Sequence, residues 1–229
     1  MTFQWIANDV LTPIVELRRY TFRPGRRDAF VELFETRFIE SQEAVGARVL
    51  GSFEIDGVPD QLVWLRGFTH MDARRHALEA FYASPLWRFH RAACNATLLD
   101  NDDVHLLRAI VPAGGIPLAA RRPAPGEKKP ARPYRLLLSE LRAPEALAGY
   151  HLELRRLLRK AGAEPLASLG TLAAENNYPS LPVWRHRTVH MALLPGEAPL
   201  PELPRQLRGL LRTAPESLVL RPTPRSLLR

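Results

Sequence analysis

The 229-residue chain has one cysteine, three lysines and no long apolar run, and each scarcity excludes something. Cys94 alone cannot close an internal disulfide, which fits a reducing compartment. No apolar run approaches the roughly 20 residues that a membrane helix needs. No basic segment leads into a continuous apolar stretch at the start, as a secretory signal would. The expectation is therefore a cytoplasmic protein with no membrane partner. Because only Lys128, Lys129 and Lys160 are lysines, the net charge of +8 is almost wholly arginine. It is spread from Arg18 to Arg229 rather than gathered in a tail, so it reads as a solvated surface and no nucleic-acid partner is expected.

Phosphate-cradling loops are also missing. There is no GxGxxG or Walker-type run, and Gly114-Gly115 lies outside any strand–turn–helix context. His186 and His190 stand four apart in a strand-like run, on one face but far apart along it, and no carboxylate completes a set. No metal site is expected.

What is abundant is proline, 21 in all, and its placement organises the chain. Residues 112–133, "PAGGIPLAARRPAPGEKKPARP", have no periodicity and read as an exposed, protease-accessible linker without an apolar face. The domains expected on either side are 1–111 and 134–229, and each flank shows the same order of elements. In the first, Ile14–Phe22 alternates as a strand, Pro24-Gly25 turns, and Asp28–Glu43 has helical spacing of Phe30, Val31, Phe34, Phe38 and Ile39. Gly46 stops that helix, Val49–Ile55 and Leu62–Phe68 form strands about Asp56-Gly57, Asp72–Tyr82 is a helix and Val104–Ala109 a strand. The second flank runs Tyr134–Leu141, a helix carrying Leu147, Tyr150, Leu154, Leu157 and Leu158, and a stop at Gly162. Strands near 166–173 and 188–194, a helix near 203–212 and a strand near 217–220 follow. Pro24 matches Pro144 and Gly46 matches Gly162, as a duplication would have it. The expected fold is α+β: two tandem ferredoxin-like βαββαβ units, their sheets face to face as a barrel-type pseudo-dimer.

Strand alternation then sorts side chains. Val15, Leu17, Val63 and Leu65 are expected under the helices. Glu16, Arg18, Tyr20, Trp64 and Arg66 would then face the other sheet, inside the barrel. Buried charges must be paired, so these residues are either an ion-pair network between the sheets or the wall of a site for an anionic or carbonyl ligand. Arg66, near its strand end, is expected at a barrel mouth with its head partly hydrated. On the following helical segment Trp87, His90 and Cys94 share a stripe, with Asn95 beside it. Arg66, His90 and Tyr20 are the catalytic candidates. Glu16, Arg18, Trp64, Trp87, Asn95, Asn176 and Tyr178 are the ligand-binding ones. Cys94 lacks companions for a nucleophilic triad and reads as buried.

The blocks "VELRRYTFRPG" (15–25) and "PDQLVWLRGFTHMDARRHALEAFYASPLWRFHRAACNATLLDNDDVHLLR" (59–108) resemble the NIPSNAP family, whose members are similar to dimeric α+β barrel proteins. The run "AENNYPSLPVW" (174–184) resembles that family's second signature through Glu175, Asn176, Tyr178, Pro179, Leu181, Pro182 and Val183. Trp184 stands where the family has arginine. The resemblance covers 14–109 well and 134–220 more weakly. It implies a small-molecule-binding protein of that barrel type, and a cofactor-independent oxygenase, isomerase or cyclase acting on an aromatic or polyketide-like substrate. The rival reading is a non-catalytic assembly protein using its sheet faces or edges. No cofactor is expected. Haem, with His151 and His190 as conceivable axial ligands, rests on fold analogy alone. A homo-oligomer is expected.

Overall fold

A computed structural model describes residues 12–110, 115–117, 121–127 and 130–229. Eight strands make one closed antiparallel barrel in the order β1-β3-β2-β8-β5-β7-β6-β4, with β4 returning to β1. They are β1 (Ile14–Phe22), β2 (Arg48–Ile55), β3 (Val58–Phe68), β4 (Leu98–Ala109), β5 (Tyr134–Leu141), β6 (Ala167–Thr171), β7 (Thr188–Pro195) and β8 (Glu216–Pro222). The first four strands lie in the order β4-β1-β3-β2 and the last four in the order β6-β7-β5-β8, which is the same arrangement read from the other end. Two seams join them: β2 to β8 through Phe53↔Pro222, and β4 to β6 through Leu107↔Thr171.

Helices cover the outside. The segment expected as one helix over Asp28–Glu43 is three: α1 (Arg27–Leu33), a π-helical turn (Phe34–Phe38) and α2 (Ile39–Glu43). Phe30, Phe34, Phe38 and Gln42 are spaced by four and are all buried. Four steps of an α-helix overshoot a full turn by about 40°, so that spacing drifts by about 120° between Phe30 and Gln42. The wider π turn takes up the drift and keeps all four on the sheet. The helix expected over Asp72–Tyr82 is α3 (Met71–Ala83), and the helical segment expected after it is α4 (Pro85–Thr97). Ser84 between them is extended and accepts a hydrogen bond from Trp87 N, with Pro85 at the first position of α4. In the second half α5 (Ala146–Lys160) and α6 (Arg205–Gly209) lie over β5 and β7.

The assignment of strand faces expected from the sequence is inverted. Val15, Leu17, Val63 and Leu65 point into the barrel and pack with Leu136, Met191 and Leu193 of the other half. Glu16, Arg18, Tyr20, Trp64 and Arg66 point outward under the helices. The aromatic side chains of α1, the π turn and α3 explain the choice: Phe30, Phe34, Phe38 and Phe81 pack with Tyr20, Phe22 and Trp64. The aliphatic faces of the two half-sheets are left to meet each other.

The barrel interior is filled, not hollow. At one mouth Arg19 bonds both Asp103 (2.8 Å) and Glu216, and the space beside them is only about 10 Å³. The linker also differs from expectation, since several of its described residues are docked. Ile116 packs on the barrel core, Pro123 is buried, and Arg122 donates to Arg225 O, Glu43 Oε1 and Val49 O. Residues 112–114, 118–120 and 128–129 of this stretch lie outside the described ones.

Candidate functional site

Burial of a carboxylate demands partners, and Glu16 has three. Its Oε2 accepts from Arg18 Nη1 (3.0 Å) and from Arg66 Nε and Nη2 (3.0 and 2.6 Å), and its Oε1 accepts from Arg74 Nε (2.7 Å). Adjacent strands β1 and β3 place Glu16 directly opposite Arg66, while Arg74 comes down from α3. All four side chains are 0 % exposed. Although burial alone would raise its pKa, the three guanidiniums hold the Glu16 carboxyl far below the usual carboxylate range.

Polar amides finish the cluster. Arg66 Nη1 donates to Gln42 Oε1 (2.9 Å), and Arg74 Nη1 donates to Asn176 Oδ1 (3.1 Å) and Asn177 Oδ1 (2.9 Å). Asn177 also donates to Met71 O (2.7 Å), and Asn176 to Leu181 O (2.8 Å). The 174–184 loop thus clamps the second half of the chain onto α3. Arg18 Nε reaches Tyr20 Oη at 3.1 Å. Cation–π contacts tie the cluster to Trp64, whose ring centroid lies 5.4 Å from the Arg18 guanidinium and 5.1 Å from that of Arg66.

Beside this cluster, between sheet and helices, lies a cavity of about 270 Å³. Its sheet-side wall is Tyr20 and Trp64, with Phe34, Phe38 and Phe81 opposite and Gln42, Asn95 and Asn101 among its polar atoms. Tyr178 stacks on Tyr82 (6.0 Å, 17°), and with Ser180 and Leu181 the loop forms one wall. Burial pushes the Tyr20 phenol up to about 12, against the pull of Arg18, so it stays a proton donor. Burial likewise pushes the Cys94 thiol up to about 12, which keeps it protonated and a poor nucleophile, as expected for a buried cysteine.

Of the residues singled out from sequence, the cavity gathers Tyr20, Trp64, Trp87, Asn95 and Tyr178. Glu16, Arg18 and Arg66 lie behind that wall, and Asn176 braces the loop. Arg66 is not at a hydrated barrel mouth: the closing helix layer and Gln42 bury it completely. His90 is not in the cavity lining. It is half-buried and packs edge-on against Phe38 (6.2 Å) and Phe89 (4.8 Å), beside the cavity rather than in its wall. Sequence reasoning missed Arg74 and Gln42. Both carried a signal: Arg74, Ala77, Leu78 and Phe81 form one buried helical stripe, and Gln42 continues the spacing of Phe30, Phe34 and Phe38.

The two histidines considered for haem meet each other instead. His151 Nδ1 and His190 Nε2 are 3.1 Å apart, less than the roughly 4 Å between two nitrogens that bind a haem iron from opposite faces. Burial, with His151 adjoining, pushes His190 down to about 3 from its ordinary 6.5. A base whose folded pKa is lowered stays uncharged while the unfolded chain takes up a proton. Stability should therefore be unaffected above pH 6.5 and should fall below it, by up to about 1.4 kcal/mol per pH unit until the folded value is reached. Urea titrations at several pH values should show this slope, and His190→Gln should flatten it. Among the described residues no group of three or more His, Cys, Asp or Glu is placed to hold a metal ion.

Residues 15–111 match the NIPSNAP family. An uncharacterized NIPSNAP domain protein from Burkholderia xenovorans is 21% identical over 45% of this chain and 98% of its own, with a TM-score of 0.39. Other structures match nearly the whole chain, two of them as follows. One, called a "putative monooxygenase", is from Lactobacillus acidophilus NCFM: 14% identity, 92% of this chain, 93% of its own, TM-score 0.52. The other, of the same description, is from Fusobacterium nucleatum: 8% identity, 93% of each chain, TM-score 0.51. At such identities these two establish the fold alone. No curated protein matches the chain.

Proposed function

We propose that this chain, whose residues 15–111 match the NIPSNAP family, is a small-molecule-binding protein whose site lies between the first half-sheet and its helices. The finer reading is a cofactor-independent enzyme acting on an aromatic or polyketide-like substrate. The observation that carries it is the aromatic cavity set against a fully buried, charged cluster. Stacking walls suit a planar ligand, and fixed dipoles and charges in a dry site stabilise developing charge without reorganisation. Two structures of similar fold are each called a "putative monooxygenase", which supports the enzyme reading by analogy only.

In this reading 1–111 and 134–229 are tandem ferredoxin-like units joined by 112–133. One chain closes the barrel that single-unit relatives would need two chains to close. The site then needs both units, because the loop of the second supplies Tyr178, Ser180 and Leu181 to the cavity of the first. The rival assembly reading is weakened, because among the described residues each strand has a partner strand on both sides, the two closing seams through three residue pairs each.

Trp64 and Trp87 line the cavity and provide a direct readout. Titration with naphthalene should give saturable quenching of tryptophan fluorescence, and Leu181→Trp, which fills the cavity, should abolish the ligand-dependent change. Linear, unsaturated quenching that is the same in both proteins would remove the basis for a binding site here.

A further inference from the structure

The buried cluster does not balance. Glu16 supplies one negative charge against the guanidiniums of Arg18, Arg66 and Arg74, leaving two positive charges at sites 0 % exposed to solvent. Arg18 Nη2 and Arg74 Nη2 are buried without a hydrogen-bond partner among the described residues. Burying unpaired charge is costly, so an excess of this kind calls for a counter-charge.

The geometry shows where that excess is delivered. Arg18 can only donate, so Tyr20 Oη accepts from it, and the phenolic proton must point elsewhere. Tyr20 lines the cavity, and among the described residues its hydroxyl makes no other hydrogen bond. Arg66 fixes Gln42 in the same way. The amide oxygen accepts from Arg66 Nη1, which leaves the NH2 group as a donor on a side chain that also lines the cavity. Trp64 Nε1 is a third donor, buried and without a partner, on a ring held beside both arginines. Each of these donors is backed by or packed against a guanidinium. The described lining holds no carboxylate or histidine to compete for them or to act as a base.

We propose that the cavity takes its ligand as an oxyanion: the phenolate or enolate of a planar conjugated molecule, received by Tyr20 O–H, Gln42 NH2 and Trp64 N–H. This rests on the binding reading above and names its substrate class. The only covalent change is loss of the ligand's O–H proton to bulk buffer. The O–H bond breaks, its electron pair stays on oxygen, and the buried arginine surplus supplies the counter-charge. At about 270 Å³ the space is near the lower end of ligand pockets, which suits a ligand of about two fused rings.

The test uses 2-naphthol, whose absorbance reports its ionisation, with naphthalene and 2-naphthoate as companions. The bound naphthol should titrate at least about one pH unit below the free molecule, equivalent to about tenfold tighter binding of the anion. Tyr20→Phe, nearly isosteric, should lose most of that lowering while still binding naphthalene. Gln42→Leu should weaken the lowering too, giving a second reading if Tyr20→Phe is unstable. A bound pKa equal to or above that of free naphthol, with naphthalene bound equally well, would overturn the oxyanion inference but leave the cavity as an apolar site. Tight binding of 2-naphthoate with no shift for naphthol would overturn it in favour of carboxylate ligands. Failure of all three probes to bind would overturn this inference together with the binding reading.

Discussion

Glu16→Gln is expected to cost at least about 3–5 kcal/mol, the range for removing one partner of a buried ion pair, and at ordinary domain stabilities this leaves much of the protein unfolded. The substitution keeps shape and volume, so packing loss is not the cause. It takes the buried cluster from an excess of two positive charges to three, and it replaces an acceptor of four close bonds by an amide that must turn an NH2 toward guanidiniums. Added salt should not rescue it, because screening acts on exposed charges and these side chains are 0 % exposed. The control is Glu54→Gln, which breaks a pair with Arg27 whose carboxylate side chain is 40% exposed. Such pairs are worth about 0–1 kcal/mol. Urea midpoints for both variants decide the matter, and comparable costs would show that the Glu16 cluster is not held as tightly as its geometry implies.

Much of the fold was legible because local signals agree with it. Gly57, at a φ of +74°, closes the tight turn after Asp56, and the strands on either side pair as Ile55↔Val58. The repeated element order was legible from paired prolines and glycines. The facing of β1 and β3 was not, since alternation divides a strand into two sets without saying which set lies inward. Buried charge was assumed to need the barrel interior, but a helix layer excludes water equally well. The informative clue was kind rather than polarity: aromatic residues on β1 and β3 match the aromatic positions of α1, the π turn and α3, whereas the aliphatic set matches the other half-sheet.

The candidate site was legible one residue at a time but not as a place. Tyr20, Trp64, Trp87, Asn95 and Tyr178 were each singled out, yet they come from β1, β3, α4 and a loop far along the chain, and only closure of the barrel brings that loop over α3. Along the α4 stripe Trp87 and Cys94 line the cavity, while His90 between them packs against Phe38 and Phe89 and is left out of the lining. The docking of 121–127 was hidden for a different reason. It depends on single side chains, Arg122 and Arg225, which reach carbonyls distant in sequence and leave no periodic trace.

Arg66→Met is expected to be milder than Glu16→Gln, and the two together milder than Glu16→Gln alone. With Arg66 exposed at a barrel mouth, its loss would hardly touch stability. Fully buried, it gives two bonds to Glu16 and one to Gln42, so a loss of about 2–3 kcal/mol is expected from charge-assisted bonds alone. Two features limit the damage. Methionine fills much of the stem volume, and Glu16 keeps Arg18 at 3.0 Å and Arg74 at 2.7 Å while the buried excess falls from two charges to one. In the Glu16→Gln background the same replacement removes one of three uncompensated cations. It should therefore restore stability rather than reduce it further, giving a coupling energy of opposite sign to both single costs and larger than the Arg66→Met cost of about 2–3 kcal/mol, at or beyond the upper end of the range seen for residues in contact. The four proteins of this cycle, unfolded in urea under one set of conditions, give the answer. Additive losses in the double variant would mean that local packing, not the charge imbalance, governs this cluster, and the counter-charge argument for an anionic ligand would lose its footing with it.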